Sequence, residues 1–190
     1  MNALEEALVG VAQFLDELQV PYMVIGGFAN LRWGRPRLTQ DLDITVQVAD
    51  ASLPEFVVRL GGRYRLLAGD ALEFARATRV IPVATSAGTR IDLILAGLPY
   101  EEAAIRRARA VPVARTNVRL CSAEDLVLHK LASERPRDRE DVEGVIVRQA
   151  GALDREYLDP LVSDLAAALE RSEIVEYYHV CLSKAGLRDT

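Results

Sequence analysis

The spacing of hydrophobic residues changes along the chain and predicts two kinds of structure. Over residues 3–18, leucine and valine recur every three to four positions, which predicts an amphipathic helix. Short apolar runs at 22–25, 79–85 and 90–95 are bounded by glycine, proline or small polar residues, as strands usually are. From residue 122 onward the pattern is helical throughout. We therefore expect an α+β fold, a mixed sheet flanked by helices, with a C-terminal helical part.

The change of pattern predicts a division of the chain near residue 121. Residues 1–121 are expected to form one domain, and residues 122–190 a helical region packed on it. Ser122 is expected to cap the first of these helices, because Asp125 follows three residues later, much as in a capping box. That helix is expected to end near Arg135, since Pro136 follows.

Composition and charge narrow the class of protein. The chain has 190 residues and a net charge of -5, whereas a general nucleic-acid binder would usually be basic. Three groups of arginines, within residues 32–37, 106–119 and 135–139, would still form a local positive groove if they face one cleft. Cys121 and Cys181 show no metal-ligand spacing, and no apolar run is long enough to cross a bilayer. The first ten residues lack the basic segment of a signal peptide, so we expect a cytoplasmic protein with no membrane partner.

Three carboxylates are the strongest candidates for chemistry. Asp41 and Asp43 alternate with apolar residues on one predicted strand, so their side chains point to the same side. Adjacent carboxylates repel each other, and a divalent cation relieves that repulsion; Mg²⁺ prefers such ligands together with water and phosphate oxygens. Asp92 lies between Ile91 and Leu93 on another strand and would join the pair if the strands are neighbours. We predict a site for Mg²⁺, or alternatively Mn²⁺, in which Asp92 also takes a proton from an attacking hydroxyl.

Two further features suit a phosphate near these carboxylates. Gly26 and Gly27 lie between an apolar strand and a helix, where glycine lets the backbone approach a phosphate and the helix N-terminus favours the anion. Thr39 precedes the acidic pair by two residues and offers a hydroxyl. Each feature alone is as typical of an ordinary turn, and an isolated Asp-x-Asp is usually a solvated surface pair. Their combination within one segment favours a functional interpretation.

This segment resembles the signature of nucleotidyltransferases of the DNA polymerase beta superfamily. Gly26-Gly27-Phe28-Ala29 and Thr39-Gln40-Asp41-Leu42-Asp43-Ile44 are similar to its Gly-Gly, spacer and Asp-x-Asp pattern, and Asp92 matches its third carboxylate. The resemblance implies that residues 1–121 are a nucleotidyltransferase catalytic domain. It also implies that an NTP is the co-substrate and that a nucleoside monophosphate moves to a hydroxyl acceptor. Arg37, in the loop before the acidic strand, is a candidate nucleotide contact.

A second stretch is similar to the C-terminal motif of AbiE-type and MenT-type toxin nucleotidyltransferases. It comprises Ser122-Ala123-Glu124-Asp125-Leu126, Lys130-Leu131-Ala132 and the segment from Arg135 to Val142. The resemblance implies that Lys130 contacts the triphosphate and that Asp138 or Asp141 is needed for activity. From the residues alone, Lys130 shares a helical stripe with apolar residues and needs an anionic partner or a ligand, unless it snorkels to the surface. Asp138 and Asp141 would also suit a helix N-terminus.

The sequence allows several alternatives for the molecule that accepts the nucleoside monophosphate. The toxin resemblance favours a tRNA end, and it implies a cognate antitoxin protein as a further partner. An antibiotic nucleotidyltransferase of the aminoglycoside or lincosamide type is the alternative, since those enzymes share the Gly-Gly and Asp-x-Asp pattern. A catalytically silent nucleotide-binding module is a third possibility, which would gain support if Asp92 pointed away from Asp41 and Asp43.

Overall fold

The computed structural model describes residues 2–187, which separate into two compact units. The first unit contains the residues up to Phe28 together with Leu38–Cys121, and the second contains Ala29–Arg37 together with the residues from Ser122 onward. The short segment 29–37 therefore groups with the C-terminal helices, which a single division of the chain near residue 121 does not describe. It does so because its hydrogen bonds and close contacts are made to one of those helices.

The first unit is built on a mixed sheet. Its strands are β1 Tyr22–Ile25, β2 Asp41–Val46, β3 Arg65–Leu66, β4 Val80–Ala84, β5 Arg90–Leu95, β6 Arg109–Val113 and β7 Thr116–Leu120. Within the described residues they lie in the order β3-β4-β5-β2-β1-β7-β6. The pairs β2–β5 and β1–β7 are parallel, and the remaining neighbours are antiparallel. The predicted mixed sheet is confirmed.

Helices of the first unit precede, connect and follow these strands. They are α1 Ala3–Glu17, α2 Gly26–Trp33, α3 Leu53–Gly61, α4 Ala71–Thr78 and α5 Pro99–Arg107, of which α2 ends in the second unit. The helix predicted over residues 3–18 is confirmed. It begins with a capping box in which Asn2 and Glu5 satisfy each other's backbone N–H groups, and its buried stripe includes Leu8, Val11 and Leu15.

One face of the sheet is apolar across its central strands. In the parallel pair β2–β5, Leu42 lies beside Ile91, Ile44 beside Leu93, and Val46 beside Leu95. All six side chains are buried, and each contributes roughly 1.5–3 kcal/mol to folding. Because successive side chains on a strand point to opposite faces, the residues between them lie together on the other face. That second face carries the three aspartates.

The second unit is helical beyond residue 122. Its helices are α6 Ala123–Ala132, α7 Pro136–Gln149, α8 Arg155–Ala168 and α9 Glu173–Lys184. The Ser122 hydroxyl accepts a hydrogen bond from the Asp125 N–H at 3.1 Å, which confirms the predicted cap. Helix α6 ends at Ala132, earlier than Arg135, because Ser133 takes an extended conformation before Pro136 opens α7.

Two elements, β3 and α4, occupy a part of the chain for which the pattern makes no prediction. Strand β3 is only two residues long, too short to show alternation. Helix α4 buries only Ala71 and Ala75 and leaves Phe74 exposed. Over residues 2–187, we find no helix with the length and apolar character needed to cross a bilayer.

Candidate active site

The three predicted carboxylates lie on one face of two neighbouring strands. In the parallel pairing of β2 with β5, Asp43 is directly beside Asp92, and Asp41 is beside Arg90. Asp41 and Asp43 are two residues apart on their strand, so all three carboxylates share the face opposite the apolar core. Asp43 and Asp92 are half-buried and Asp41 is exposed. Asp92 therefore does not lie on the far side of the sheet from the acidic pair.

Gly26 and Gly27 pack directly against this acidic strand. Gly26 has a φ of +64°, and a Cβ added to it would lie 2.0 Å from Oδ2 of Asp43. A Cβ on Gly27 would lie 2.4 Å from Oγ1 of Thr39. No side chain fits at either position without displacing these groups, so glycine is required for close approach, and at Gly26 also for the left-handed backbone. The Gly-Gly part of the sequence signature is thus in close contact with its Thr39 to Asp43 part.

Hydrogen bonds within the first unit orient the carboxylates of Asp41 and Asp92. The Thr39 hydroxyl donates to Oδ1 of Asp41 at 3.1 Å, and Nε of Arg90 donates to both carboxylate oxygens of Asp92, at 3.0 and 3.2 Å. Arg90 is not among the residues that the sequence pattern predicts at this site. Its signal is the spacing of two from Asp92, which places both side chains on the same face of β5.

The residues present fit a divalent cation in their chemistry. The donors are carboxylate oxygens, which Mg²⁺ and Mn²⁺ accept, and the strand register puts Asp43 and Asp92 side by side. Among residues 2–187, however, no three acidic, histidine or cysteine side chains converge as a metal-binding group. Such an ion would compete with Arg90 for Asp92 and with Thr39 for Asp41. The metal assignment of Asp41, Asp43 and Asp92 stays a prediction.

A second cluster of predicted site residues lies within the helical unit. Lys130, Asp138 and Asp141 are buried, with 8%, 6% and 4% of their surface exposed. The Lys130 ammonium donates to Asp138 and lies 3.0 Å from Oδ2 of Asp141. Arg37 binds the same Asp141 through two parallel hydrogen bonds of 2.9 and 2.8 Å, and Ser133 donates to Asp138 at 2.6 Å. The snorkelling alternative for Lys130 is wrong, because the lysine has anionic partners in the interior.

The cluster balances two cations against two anions. Burial alone would raise the pKa of Asp141, but the hydrogen bonds and charges of Arg37 and Lys130 outweigh it and hold that pKa below its usual range. Removing one member would leave a buried charge uncompensated, which costs about 3–5 kcal/mol. The cluster is thus a structural part of the second unit. Contacts of Lys130, Arg37, Asp138 or Asp141 with a nucleotide stay predictions.

Comparisons with known proteins bear on the fold and the class. Residues 99–181 match the model of a family described as nucleotidyltransferase of unknown function (DUF6036), a match that covers less than half of the chain and includes Lys130 and Asp141. No curated protein matches the chain.

Solved structures match over most of the chain at low sequence identity. An antigenic nucleotidyltransferase-like protein from Paracoccidioides brasiliensis has a TM-score of 0.56 and 17% identity, covering 92% of each chain. The fold is that of a nucleotidyltransferase. The antibiotic-resistance factor ANT(2'')-Ia gives a TM-score of 0.53 at 21% identity, covering 93% of this chain and 96% of its own. The lincomycin-bound lincosamide antibiotic adenylyltransferase LnuA gives 0.51 at 12%, covering 76% and 96%. These neighbours show the fold, and the family model indicates the nucleotidyltransferase class; the AbiE or MenT type stays a prediction.

Proposed function

We propose that the chain is a metal-dependent nucleotidyltransferase that moves a nucleoside monophosphate from an NTP to a hydroxyl acceptor. The observation that carries the proposal is the pairing of Asp43 with Asp92 in the strand register, with Asp41 on the same face. The close approach of Gly26 to Asp43 supports it further, because it brings a helix N-terminus beside the carboxylates.

The roles of the residues follow from their places. Asp41, Asp43 and Asp92 would hold Mg²⁺ or Mn²⁺, which when bound would neutralise charge on the phosphates and on the leaving group. Thr39, adjacent to Gly27, would donate its hydroxyl to a phosphate oxygen. Arg90, once Asp92 is released, would be free to pair with a phosphate, since guanidinium and phosphate match in geometry.

The proposed reaction is an in-line displacement at the α-phosphorus of the NTP. The acceptor oxygen forms a bond to that phosphorus, the bond to the oxygen that bridges to the β-phosphate breaks, and pyrophosphate leaves. The proton of the acceptor hydroxyl passes to the carboxylate of Asp92.

The proposed acceptor is the end of a tRNA, supported by the resemblance of the Lys130 to Asp141 stretch to the toxin motif. An enzyme of that kind would act in the cytoplasm and would have an antitoxin protein as a partner. The second candidate is a small hydroxyl-bearing antibiotic. It is favoured by the structural likeness to LnuA and ANT(2'')-Ia, of which LnuA is named as a lincosamide adenylyltransferase.

The test uses the pure protein with Mg²⁺ and each α-labelled NTP. Total tRNA is offered in one series and a panel of lincosamides and aminoglycosides in the other. Asp43→Asn is the test variant, and Asp164→Asn, at an exposed position of α8, is its matched control. Label on RNA, or on a drug, that is lost only in Asp43→Asn would support the proposal and identify the acceptor. Transfer to neither, with no Mn²⁺ binding that depends on Asp43, would refute it.

A further inference from the structure

One face of α7 contacts segment 29–37. This segment connects Gly26 and Gly27 to Thr39 and the acidic pair of the candidate site. The residues of α7 that contact segment 29–37 include Asp141, Gly144, Val145 and Arg148. Their spacing of three, four and seven residues places them on a single side of the helix. All of these contacts lie within the second unit.

Polar contacts join α7 to several residues of the segment. Arg148 donates to the carbonyl oxygen of Gly34 at 2.6 Å, and Gln149 donates to that of Trp33 at 2.8 Å. Asp141 accepts the paired hydrogen bonds of Arg37 at the far end of the segment. Since a guanidinium and a carboxylate bound in this way have one mutual orientation, the Arg37 contact fixes direction as well as distance.

Glycines on both sides let the segment lie close against the helix. A Cβ on Gly34 would lie 3.0 Å from a methyl group of Val145, and a Cβ on Gly144 would lie 3.2 Å from the backbone nitrogen of Arg35. Contacts this short are tighter than most Cβ contacts in proteins, so a side chain at either glycine would displace its neighbour by at least a few tenths of an ångström. The segment is therefore held by packing as well as by hydrogen bonds.

The chain connects this anchored segment to the candidate site at both ends. Gly27 lies two residues before the segment begins, and Thr39 lies two residues after Arg37, where it ends. Gly27 and Thr39 are themselves in close contact in the first unit. A loss of the Arg37 anchor would therefore act first on Thr39 and Asp41.

We propose that Arg37 and Asp141 are positioning residues, which fix the chain leading into Thr39 and Asp41 and do not themselves touch the nucleotide. This inference rests on the proposed function for its effect on transfer, although the effect on the chain itself is independent of it. Two nitrogens of Arg37 are already bound to Asp141, so the arginine acts through the backbone that it anchors.

The variant that tests this proposal is Arg37→Lys, and its matched control is Arg155→Lys. Lysine keeps the charge but loses the paired geometry, and Asp141 stays paired with Lys130. Arg155 also binds an aspartate, Asp159, through two hydrogen bonds, and it is similarly exposed, 18% against 22%. Its partner lies on the same helix, α8. Thermal unfolding of both variants checks that they fold.

Amide hydrogen exchange without nucleotide is the first measurement. We expect exchange of residues 38–41 to become about tenfold faster in Arg37→Lys and to stay unchanged in Arg155→Lys, because the loss of one anchor raises local opening. In transfer assays, kcat should fall by about tenfold or more in Arg37→Lys with little change in KM for the NTP, since misplaced reacting groups slow the chemical step.

The outcomes separate this proposal from the proposed function. Unchanged exchange in Arg37→Lys overturns the positioning role, whatever happens to activity. A raised KM for the NTP with unchanged exchange also overturns it, and would mean that Arg37 binds the nucleotide directly. If the wild-type protein transfers nothing to any acceptor but exchange responds as expected, the proposed function fails while the anchoring of residues 38–41 by Arg37 stands.

Discussion

Replacing Gly26 with alanine tests whether this glycine really abuts the acidic strand. Gly26→Ala has two costs in the structure. A non-glycine residue at a φ of +64° costs roughly 1–2 kcal/mol. The new methyl group would lie 2.0 Å from Oδ2 and 2.8 Å from Cγ of Asp43, and overpacking of this kind costs roughly 1–3 kcal/mol. The free energy of unfolding should therefore fall by about 2–5 kcal/mol in total.

Gly88→Ala is a matched control for the backbone cost. Gly88 has a φ of +90°, and a Cβ added there would meet nothing within 4 Å. It should lose only the backbone part, roughly 1–2 kcal/mol. Urea unfolding followed by circular dichroism measures both changes, and calorimetry measures Mn²⁺ binding. Mn²⁺ affinity should be lost in Gly26→Ala, because Asp43 must turn away from the methyl group, and should be retained in Gly88→Ala.

A double-mutant cycle isolates the contact with Asp43. Gly26→Ala should be less costly in an Asp43→Ala background, because the two closest atoms to the new methyl group are then absent. If Gly26→Ala and Gly88→Ala lost equal stability, and if both bound Mn²⁺ as the wild type does, then the close approach of the Gly-Gly turn to Asp43 would be refuted.

Two other predictions follow from the ion pairs. Arg90→Gln should tighten Mn²⁺ binding up to about fivefold, since an ion pair whose arginine is largely exposed and that competes for Asp92 is worth about 0.2–1 kcal/mol; unchanged affinity in calorimetry would show that Arg90 does not compete with the ion. Asp141→Asn should lower the free energy of unfolding by about 3–5 kcal/mol at pH 7. Because the pKa of Asp141 is lowered by folding, its contribution is complete above about pH 3.9 and is lost as the pH falls through the lowered pKa. Urea unfolding should thus show the difference from the wild type shrinking below pH 4, and a difference that stays constant with pH would contradict the assignment.

Local patterns were enough to locate most elements of the fold. The run at 22–25 is strand β1, and the alternation that starts at Asp41 is strand β2, which ends at Val46. These predictions succeed because the apolar residues that a strand buries are recognisable within the strand's own short sequence. The runs at 79–85 and 90–95 likewise form the antiparallel pair β4–β5.

Pairing between distant strands could not be predicted in the same way. The sequence placed Asp92 on the polar face of its strand but left open which strand lies beside it. Only the parallel register of β2 with β5 brings Asp92 next to Asp43, across 49 residues of chain. Such a contact depends on the whole sheet. For the same reason, segment 29–37 shows no local sign that it groups with the C-terminal helices, since its partners lie more than 100 residues away.

The buried ion-pair cluster explains the C-terminal motif in physical terms. The sequence predicted only a part of this explanation. Lys130 needed an anion or a ligand, and the structure supplies two aspartates, one of which is shared with Arg37. A nucleotide that took Lys130 from these partners would have to offset the cost of leaving buried carboxylates unpaired. The charged residues of the motif are paired with one another without a ligand. Arg37, which binds Asp141, connects them to the chain that leads into Thr39. One set of residues can therefore be necessary for activity and still make no contact with the substrate.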